Sequence, residues 1–267
     1  MASGTAVITG ASSGIGAVYA DRLARRGYDL VLVARDAARL GAAAASLRAS
    51  TGQRVEALPT DLTDRAQLAR VEERLASDPT ITLLVNNAGM SLTGTWLTVE
   101  PREVERLIAL NTIAPTLLAR AAATAFAARG RGAIVNVGSV LAFAPEAHDG
   151  AYSGTKAHLL NLTLAIAGKL GDQGVYAQAV LPGATRTEIF ERSGKDLDAL
   201  MPAELIMAPE DLVDAALIGF DRRETVTIPS LHDGDAFEAM SAARMRLASN
   251  LHNRDVAARY RLSRDRG

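Results

Sequence analysis

The chain has 267 residues, a formal net charge of −1 and 48% apolar residues, enough for one large domain with a full core. It contains no cysteine, which excludes disulfides, thiolate metal ligands and cysteine nucleophiles. The balanced charge does not indicate disorder or a nucleic-acid partner. The sequence shows neither a signal-peptide pattern nor an apolar run of about 18 residues, so we expect a cytoplasmic protein without a membrane partner.

Short β-branched runs alternate with longer amphipathic segments. Continuous apolar strands, such as the Val-Leu-Val of residues 31–33, are typical of a parallel sheet covered on both faces. The alternation predicts an α/β fold: a doubly wound parallel sheet of the Rossmann type, single-domain, with about seven strands flanked by helices. The predicted strands are 6–9, 30–34, 55–59, 83–86, 133–138, 175–181 and 225–228. The predicted helices are 14–26, 36–50, 65–77, 101–129 and 151–170.

Residues at the ends of these segments support the helix assignments. Asp36 and Asp64 are predicted N-caps, and Pro101 suits a first helical turn. Gly27 and Gly130 are predicted helix stops. The pattern becomes less regular after residue 181. There we predict a substrate lid at 187–208, with a pair of surface helices as the alternative, and a C-terminal helical extension at 230–267 with a solvated, arginine-rich end.

A glycine-rich segment follows the first predicted strand. Its three glycines allow the backbone to turn sharply and to approach a pyrophosphate, while the next helix offers free N–H groups to that anion. The spacing is G-x-x-x-G-x-G, not the commoner G-x-G-x-x-G, and an ordinary tight turn is the alternative. The predicted nucleotide-binding residues of this segment are Gly10, Ser12, Ser13, Gly14, Ile15 and Gly16.

The end of the second predicted strand indicates which nucleotide binds. A carboxylate there would accept hydrogen bonds from the ribose hydroxyls of NAD. This chain has Arg35 instead, which suits a bidentate contact with a ribose phosphate. Asp36 follows it, but its position suits a helix cap. We therefore predict NADP as the cofactor, with NAD the less favoured alternative, and a solvated surface cation as the other interpretation of Arg35.

Tyr152 and Lys156 lie four residues apart on a predicted helix, so their side chains share one face. An ammonium about 4 Å from a phenol offers on the order of 4 kcal/mol to the phenolate. We therefore expect Lys156 to lower the pKa of Tyr152 and to make the phenol an acid/base group. Ser139 ends an apolar strand, where its hydroxyl is able to polarise a substrate oxygen.

These motifs resemble the short-chain dehydrogenase/reductase family over roughly residues 5–190. The resemblance implies that Asn111, Ser139, Tyr152 and Lys156 form a catalytic tetrad, in which Lys156 also holds the ribose hydroxyls and Asn111 holds a relay water. The alternative for Asn111 is a structural amide that kinks its helix. The further cofactor-binding residues implied by the resemblance are Asp61 and Leu62 at the adenine, the strand-end group Asn87, Ala88 and Gly89, and Pro182, Gly183, Thr185 and Thr187 near the nicotinamide.

The implied activity is hydride transfer between the nicotinamide and a carbonyl or secondary alcohol substrate. A catalytically idle NADP-binding regulator and a sugar-nucleotide epimerase or dehydratase on the same fold stay open. We predict at least a homodimer; the chain lacks the glycine-rich ending of many tetrameric members, which weakens the case for a tetramer. His148 and His158 have no other ligands at metal spacing, so we predict no metal. The residues proposed to line an apolar substrate cleft are Met90, Leu92, Leu141, Phe143, Phe190 and Met207.

Overall fold

The computed structural model describes residues 4–147, 149–194 and 196–261. The chain divides into two compact units, Met1–Ser230 and Leu231–Gly267. The first unit holds the sheet and the candidate site. The second unit contains one long helix, Gly234–Ala248, and a short 3-10 turn, Ala258–Tyr260. The lid and extension assigned from the sequence are functional interpretations, and they stay predictions.

Seven parallel strands form one sheet, in the order β3-β2-β1-β4-β5-β6-β7. The order reverses at β1, which pairs with β2 on one side and with β4 on the other. A crevice opens at such a reversal, beyond the carboxyl ends of the strands. The predicted doubly wound parallel sheet is therefore confirmed. The strands are β1 Thr5–Thr9, β2 Asp29–Ala34, β3 Val55–Pro59, β4 Ile81–Asn86, β5 Gly132–Val137, β6 Val175–Val180 and β7 Val226–Thr227.

Alternate strand residues pack into two separate cores, one on each face of the sheet. Ile8 and Leu32 belong to one buried cluster, whereas Val7 and Val31 belong to the other. Side chains in a strand point to opposite faces with a period of two, so a strand covered on both faces must be apolar throughout. The continuous apolar runs of the sequence follow from this arrangement.

Ten α-helices occur in the described residues, and the predicted caps are present. The side chains of Asp36 and Asp64 accept hydrogen bonds from backbone N–H groups of the first helical turn. Gly130 ends its helix with φ +66°, a conformation that favours glycine. The helices are α1 Gly14–Arg25, α2 Ala37–Thr51, α3 Arg65–Ser77, α4 Pro101–Ile108, α5 Ala114–Arg129, α6 Gly150–Leu170, α7 Glu188–Arg192, α8 Leu197–Leu200, α9 Pro209–Asp221 and α10 Gly234–Ala248.

The predicted continuous helix 101–129 is interrupted by a π-helical turn, Ala109–Ile113. Pro115 has no N–H to donate to the carbonyl of Asn111 four residues earlier, so the α-helical ladder is unable to continue here. By length and composition the whole run Pro101–Arg129 is apolar enough to cross a membrane, and 44% of its most apolar window is buried. Leu118 and Phe126 of this run lie in the core, as in a core helix of a globular domain. The absence of a membrane partner stays a prediction.

Candidate active site

A cleft of ≈ 1490 Å³ lies at the carboxyl ends of the strands. This volume exceeds that of a drug-sized pocket, so it has room for a dinucleotide and a second molecule. Residues just after the ends of β1, β2, β4, β5 and β6 line this cleft. They include Gly10, Arg35, Asn87, Gly138 and Pro182. The sheet therefore places the glycine-rich segment and the tetrad candidates at one edge.

Hydrogen bonds fasten the end of β1 to the end of β4 beneath this cleft. The Thr9 hydroxyl accepts from the backbone N–H groups of Asn87 at 2.9 Å and Ala88 at 3.0 Å. In return, the Asn87 side-chain amide donates to the Thr9 carbonyl at 2.9 Å and the Gly10 carbonyl at 3.3 Å. A Cβ on Gly16 would lie 2.3 Å from the Gly10 carbonyl oxygen, so only glycine allows α1 to begin this close to the turn.

Replacing Gly16 with alanine is expected to weaken nucleotide binding by about 10- to 100-fold, because the glycine turn must move to admit the methyl group. The control is Gly41→Ala in α2, where an added Cβ meets nothing within 4 Å. That variant is expected to bind nucleotide normally and to gain up to about 1 kcal/mol in free energy of unfolding. Equal affinities in the two variants, measured by calorimetric titration, would contradict the steric argument.

At the other end of the cleft, Arg35 is exposed and lines the wall together with Ser12, Ser13 and Leu62. Asp61 lies behind this wall. Burial raises the pKa of its carboxyl, but hydrogen bonds from Thr63 and the charges of Arg35 and Arg106 outweigh that effect, so the net pKa is lowered. Asp61 is therefore ionised at neutral pH. It forms the electrostatic partner of the two arginines near it.

Sixteen of the predicted nucleotide-binding residues line the cleft, whereas Gly16 and Asp61 do not. Gly16 is buried, and the Asp61 carboxylate accepts hydrogen bonds from the N–H and the hydroxyl of Thr63. The cleft-lining residues are Gly10, Ser12, Ser13, Gly14, Ile15, Arg35, Leu62, Asn87, Ala88, Gly89, Tyr152, Lys156, Pro182, Gly183, Thr185 and Thr187. Their roles in binding stay predictions.

Ser139, Tyr152 and Lys156 converge at the floor of the cleft. Ser139 follows β5, and its hydroxyl accepts a hydrogen bond from the Leu141 N–H at 3.2 Å. Tyr152 and Lys156 lie on one face of α6, with the Lys156 Nζ 5.6 Å from the centroid of the Tyr152 ring. The ammonium is buried and donates to the Val137 carbonyl at 3.1 Å.

The expectation that Lys156 lowers the pKa of the phenol is wrong for the nucleotide-free structure. Burial raises the pKa of Tyr152 to about 12, and a hydrogen bond with Ser139 offsets this only in part. Burial also lowers the pKa of Lys156 to about 8. The lysine donates to the Val137 carbonyl and lies over the ring face, and burial is the largest cause of both pKa shifts. Tyr152 is therefore a protonated phenol at neutral pH.

Asn111 does not line the cleft. It is 1% exposed, and its amide exchanges two hydrogen bonds of 2.9 Å with the backbone of Met90. Its amide nitrogen also lies 3.3 Å from the Thr155 hydroxyl, one residue before Lys156. The side chain thus joins the π-helical turn to Met90, in the loop after β4, and to α6. A relay water held by this residue stays a prediction.

Asp149 is a site residue that the sequence reasoning missed. One carboxylate oxygen caps α6 by accepting from the N–H groups of Ala151 at 2.9 Å and Tyr152 at 3.2 Å. The other oxygen accepts from the Trp96 N–H at 2.8 Å. This buried side chain therefore connects the catalytic helix to the loop between β4 and α4. Its position just before the predicted helix was the available signal, because aspartate is a favoured N-cap.

Some of the residues predicted for the substrate cleft line the observed cleft, and their contact with a substrate stays a prediction. Met90, Leu141 and Phe190 line the cleft, whereas Leu92, Phe143 and Met207 are not among its lining residues. Leu92 is buried, and Met207 packs against the core on one face of the sheet. His158 is partly buried on α6, and its Nε2 lies 2.7 Å from the Thr116 hydroxyl. His148 lies outside the described residues.

Known proteins are similar to this chain in sequence and in structure. The family model described as short chain dehydrogenase matches residues 4–198. A cis-4-hydroxycyclohexanecarboxylate dehydrogenase from Sinomonas cyclohexanicum is 32% identical, over 79% of this chain and 86% of its own length. A very-long-chain 3-oxoacyl-CoA reductase from Podospora anserina is 31% identical over 82% of this chain, which spans only 64% of that protein's length.

Two solved structures are similar over nearly the whole chain. A short-chain dehydrogenase from Sphingobium yanoikuyae in complex with NADPH is 52% identical, with a TM-score of 0.93, over 96% of this chain and 100% of that one. A bulky-bulky ketone specific alcohol dehydrogenase from Comamonas testosteroni is 46% identical, with a TM-score of 0.89, over 97% of this chain and 99% of that one.

The fold and the cleft define a dinucleotide-binding oxidoreductase. The chain belongs to the short-chain dehydrogenase/reductase family, as its sequence resemblance predicts. It is an oxidoreductase of that family.

Proposed function

We propose that the protein reduces ketones with two bulky substituents to secondary alcohols, and that it uses NADPH as the reductant. The observation that carries this proposal is the convergence of Ser139, Tyr152 and Lys156 at the floor of an open cleft. A protonated phenol beside a hydroxyl donor is suited to receive a ketone oxygen.

In the proposed reaction Tyr152 donates its phenolic proton to the oxygen of the ketone as negative charge develops there. Ser139 donates a hydrogen bond to the same oxygen and thereby orients the carbonyl. Lys156 supports the resulting phenolate with its positive charge, which a pKa of about 8 largely preserves at neutral pH. Bulk solvent then returns a proton to Tyr152.

The residues of the cleft fit a nicotinamide nucleotide. Gly10, Gly14 and Gly89 leave the floor without side chains, and a Cβ on Gly89 would lie 3.5 Å from the Lys156 Nζ. Gly89 therefore leaves the ammonium accessible from the cleft, where it is suited to hold ribose hydroxyls. When bound, the reduced nicotinamide supplies the hydride for the carbonyl carbon.

The apolar part of the cleft supports bulky ketones as the substrate class. Met90, Leu141 and Phe190 contribute apolar side chains to the cleft lining, as do Leu200 and Met201 of the segment after β6. Such a wall favours large apolar substituents over polar ones. The similarity to the Comamonas enzyme, whose description names bulky-bulky ketones, supports the same class.

A substrate panel tests the reaction. Diaryl and bulky aryl-alkyl ketones, small ketones, aldehydes and the matching secondary alcohols would be assayed by the absorbance of the reduced nicotinamide. The proposal expects kcat/KM for bulky ketones to exceed that for acetone by at least about 100-fold, because several methylene equivalents are buried. Turnover restricted to small polar substrates would overturn the substrate class, and a lack of any turnover would overturn the reaction.

Arg35 supports the preference for NADPH, and its replacement tests that preference. Arg35→Asp is expected to lower kcat/KM for NADPH by about 100-fold and to raise that for NADH, because a carboxylate repels a ribose phosphate and accepts from ribose hydroxyls. The control, Arg131→Asp, makes the same charge change at an exposed site after α5. An unchanged ratio of NADPH to NADH activity in Arg35→Asp would remove Arg35 from this role. Assembly as a dimer or tetramer and a cytoplasmic location stay predictions.

A further inference from the structure

The carboxylate of Glu188, the first residue of α7, is held by cationic side chains at the nucleotide end of the cleft. Arg39 of α2 donates to both of its oxygens, with Nη1 3.2 Å from Oε2 and Nη2 bound to Oε1. Arg192 of α7 donates to Oε2 from 2.5 Å. The same Arg192 nitrogen lies 3.5 Å from the hydroxyl of Ser13, in the glycine-rich segment.

These groups belong to the part of the cleft that we assign to the nucleotide phosphates. Ser13, Arg35, Glu188 and Arg192 all line it. Hydrogen bonding from Arg39 is the main cause of a lowered pKa at Glu188, and the Ser13 hydroxyl contributes in the same direction. A protein carboxylate therefore occupies a set of donors whose chemistry suits any small oxyanion.

The same contact fastens residues 187–194 and 196–206, which we call the flap. Its two ends are paired to each other, since Arg186 N–H donates to the Met207 carbonyl at 3.0 Å and Met207 N–H donates to the Ala184 carbonyl at 2.9 Å. Between these ends, Glu188 forms the ion pair with Arg39 of α2, a residue that is not itself among those lining the cleft. Release of that ion pair would remove this contact between α7 and α2.

Exposure makes this ion pair easy to displace. The side chains of Arg39 and Glu188 are 45% and 32% exposed, and such pairs contribute little because water screens them. A phosphate monoester carries a charge of about −1.5 to −2 and three acceptor oxygens, against one negative charge and two oxygens on a carboxylate. The phosphate is the stronger ligand for two arginines and a hydroxyl.

We propose that Glu188 is an internal competitor of the coenzyme's ribose phosphate: the phosphate takes over Arg39 and Arg192, and α7 is released from α2. The inference rests on the NADPH preference proposed above. It makes Arg39 and Arg192 specificity-determining residues beside Arg35. It also makes the flap respond to NADPH but not to NADH.

Nucleotide binding to the full chain tests this competition. Glu188→Gln keeps the size of the side chain and removes its charge, so it is expected to tighten NADPH binding by about fivefold and to leave NADH within about twofold. The probes 2′-AMP and 5′-AMP, which carry the phosphate without the nicotinamide, should show the same contrast. Asp198→Asn is the control, because it removes an ion pair with Arg186 in which Glu188, Arg39 and Arg192 take no part.

A second variant makes the result specific. Arg39→Met is expected to weaken NADPH binding, and in that background Glu188→Gln should have a smaller effect than in the wild type, because Arg192 is then the one remaining cation of the two that Glu188 and the phosphate share. Weaker or unchanged NADPH binding in Glu188→Gln, or equal gains for NADPH and NADH, would overturn the competition. That result is separable from failure of the proposed function, since the substrate panel and the Arg35→Asp assay score turnover and nucleotide preference in proteins with Glu188 intact.

Discussion

Replacing Tyr152 with phenylalanine is expected to lower kcat for ketone reduction by roughly 10²- to 10⁴-fold, while NADPH affinity stays within about twofold. The substitution removes only the phenolic hydroxyl, so the ring keeps its packing and its contact with the Lys156 ammonium. The proton for the developing alkoxide then has to come from water. Steady-state kinetics and calorimetric titration of NADPH measure the two quantities separately.

Tyr19→Phe provides the matched control for this prediction. Tyr19 is 1% exposed in α1, and within the described residues its hydroxyl has no hydrogen-bond partner. Removal of that hydroxyl is expected to leave kcat unchanged and to raise the free energy of unfolding by about 1 kcal/mol, because an unsatisfied buried polar group is lost. If Tyr152→Phe kept more than one-tenth of the wild-type kcat, Tyr152 would not be the acid of the reaction.

The pH profile gives a second measure of the same group. A pKa of about 12 keeps Tyr152 protonated at neutral pH, which is the form that ketone reduction requires. Alcohol oxidation requires the phenolate, so its rate should rise with pH, whereas the reduction rate should not. The nicotinamide charge of the oxidised coenzyme is expected to lower this pKa in the complex, since opposite charges favour ionisation. A catalytically idle regulator would show neither profile.

The parallel sheet was predictable from sequence because its signal is local. Each strand is a short apolar run, several long helices start at an aspartate cap, and the alternation of strand and helix repeats along the chain. The helix α9 was missed, although Pro209 at its start and the apolar residues Leu212, Val213 and Ala216 gave a helical pattern. The irregular segment before it and the two-residue strand β7 after it hid the repeat.

The site was predictable in its composition but less so in its electrostatics. Order and spacing brought Ser139, Tyr152 and Lys156 together correctly, because each follows directly from one strand or one helix face. The direction of the Tyr152 pKa depends on burial and on the carbonyl that the lysine selects, and both are tertiary properties. The Glu188–Arg39 pair joins residues 149 positions apart, so no local pattern indicates it.

Replacing Lys156 with methionine is expected to abolish measurable ketone reduction and, at the same time, to stabilise the nucleotide-free protein by about 2 kcal/mol at pH 7. Its pKa falls from 10.5 to about 8 on folding because the ammonium is buried. Between pH 8 and pH 10.5, Lys156 is protonated in the unfolded chain and neutral in the folded protein. The free energy of unfolding of the wild type therefore rises with pH through this window. Below pH 8 the buried Lys156 ammonium costs the folded state about 3 kcal/mol in desolvation, and Lys156→Met removes this cost. The variant also loses the hydrogen bond to the Val137 carbonyl, which reduces the gain by about 1 kcal/mol.

Thermal unfolding without nucleotide measures the gain, and Lys169→Met, an exposed lysine at the end of the same helix, is the control that should change little. The stabilisation should shrink as the pH is raised towards 10.5, because the wild type then loses its buried charge. Lys156→Met that is less stable than wild type at pH 7 would show that the ammonium is well solvated. The predicted combination, a more stable but inactive variant, is the behaviour of a residue kept for chemistry at the expense of the fold.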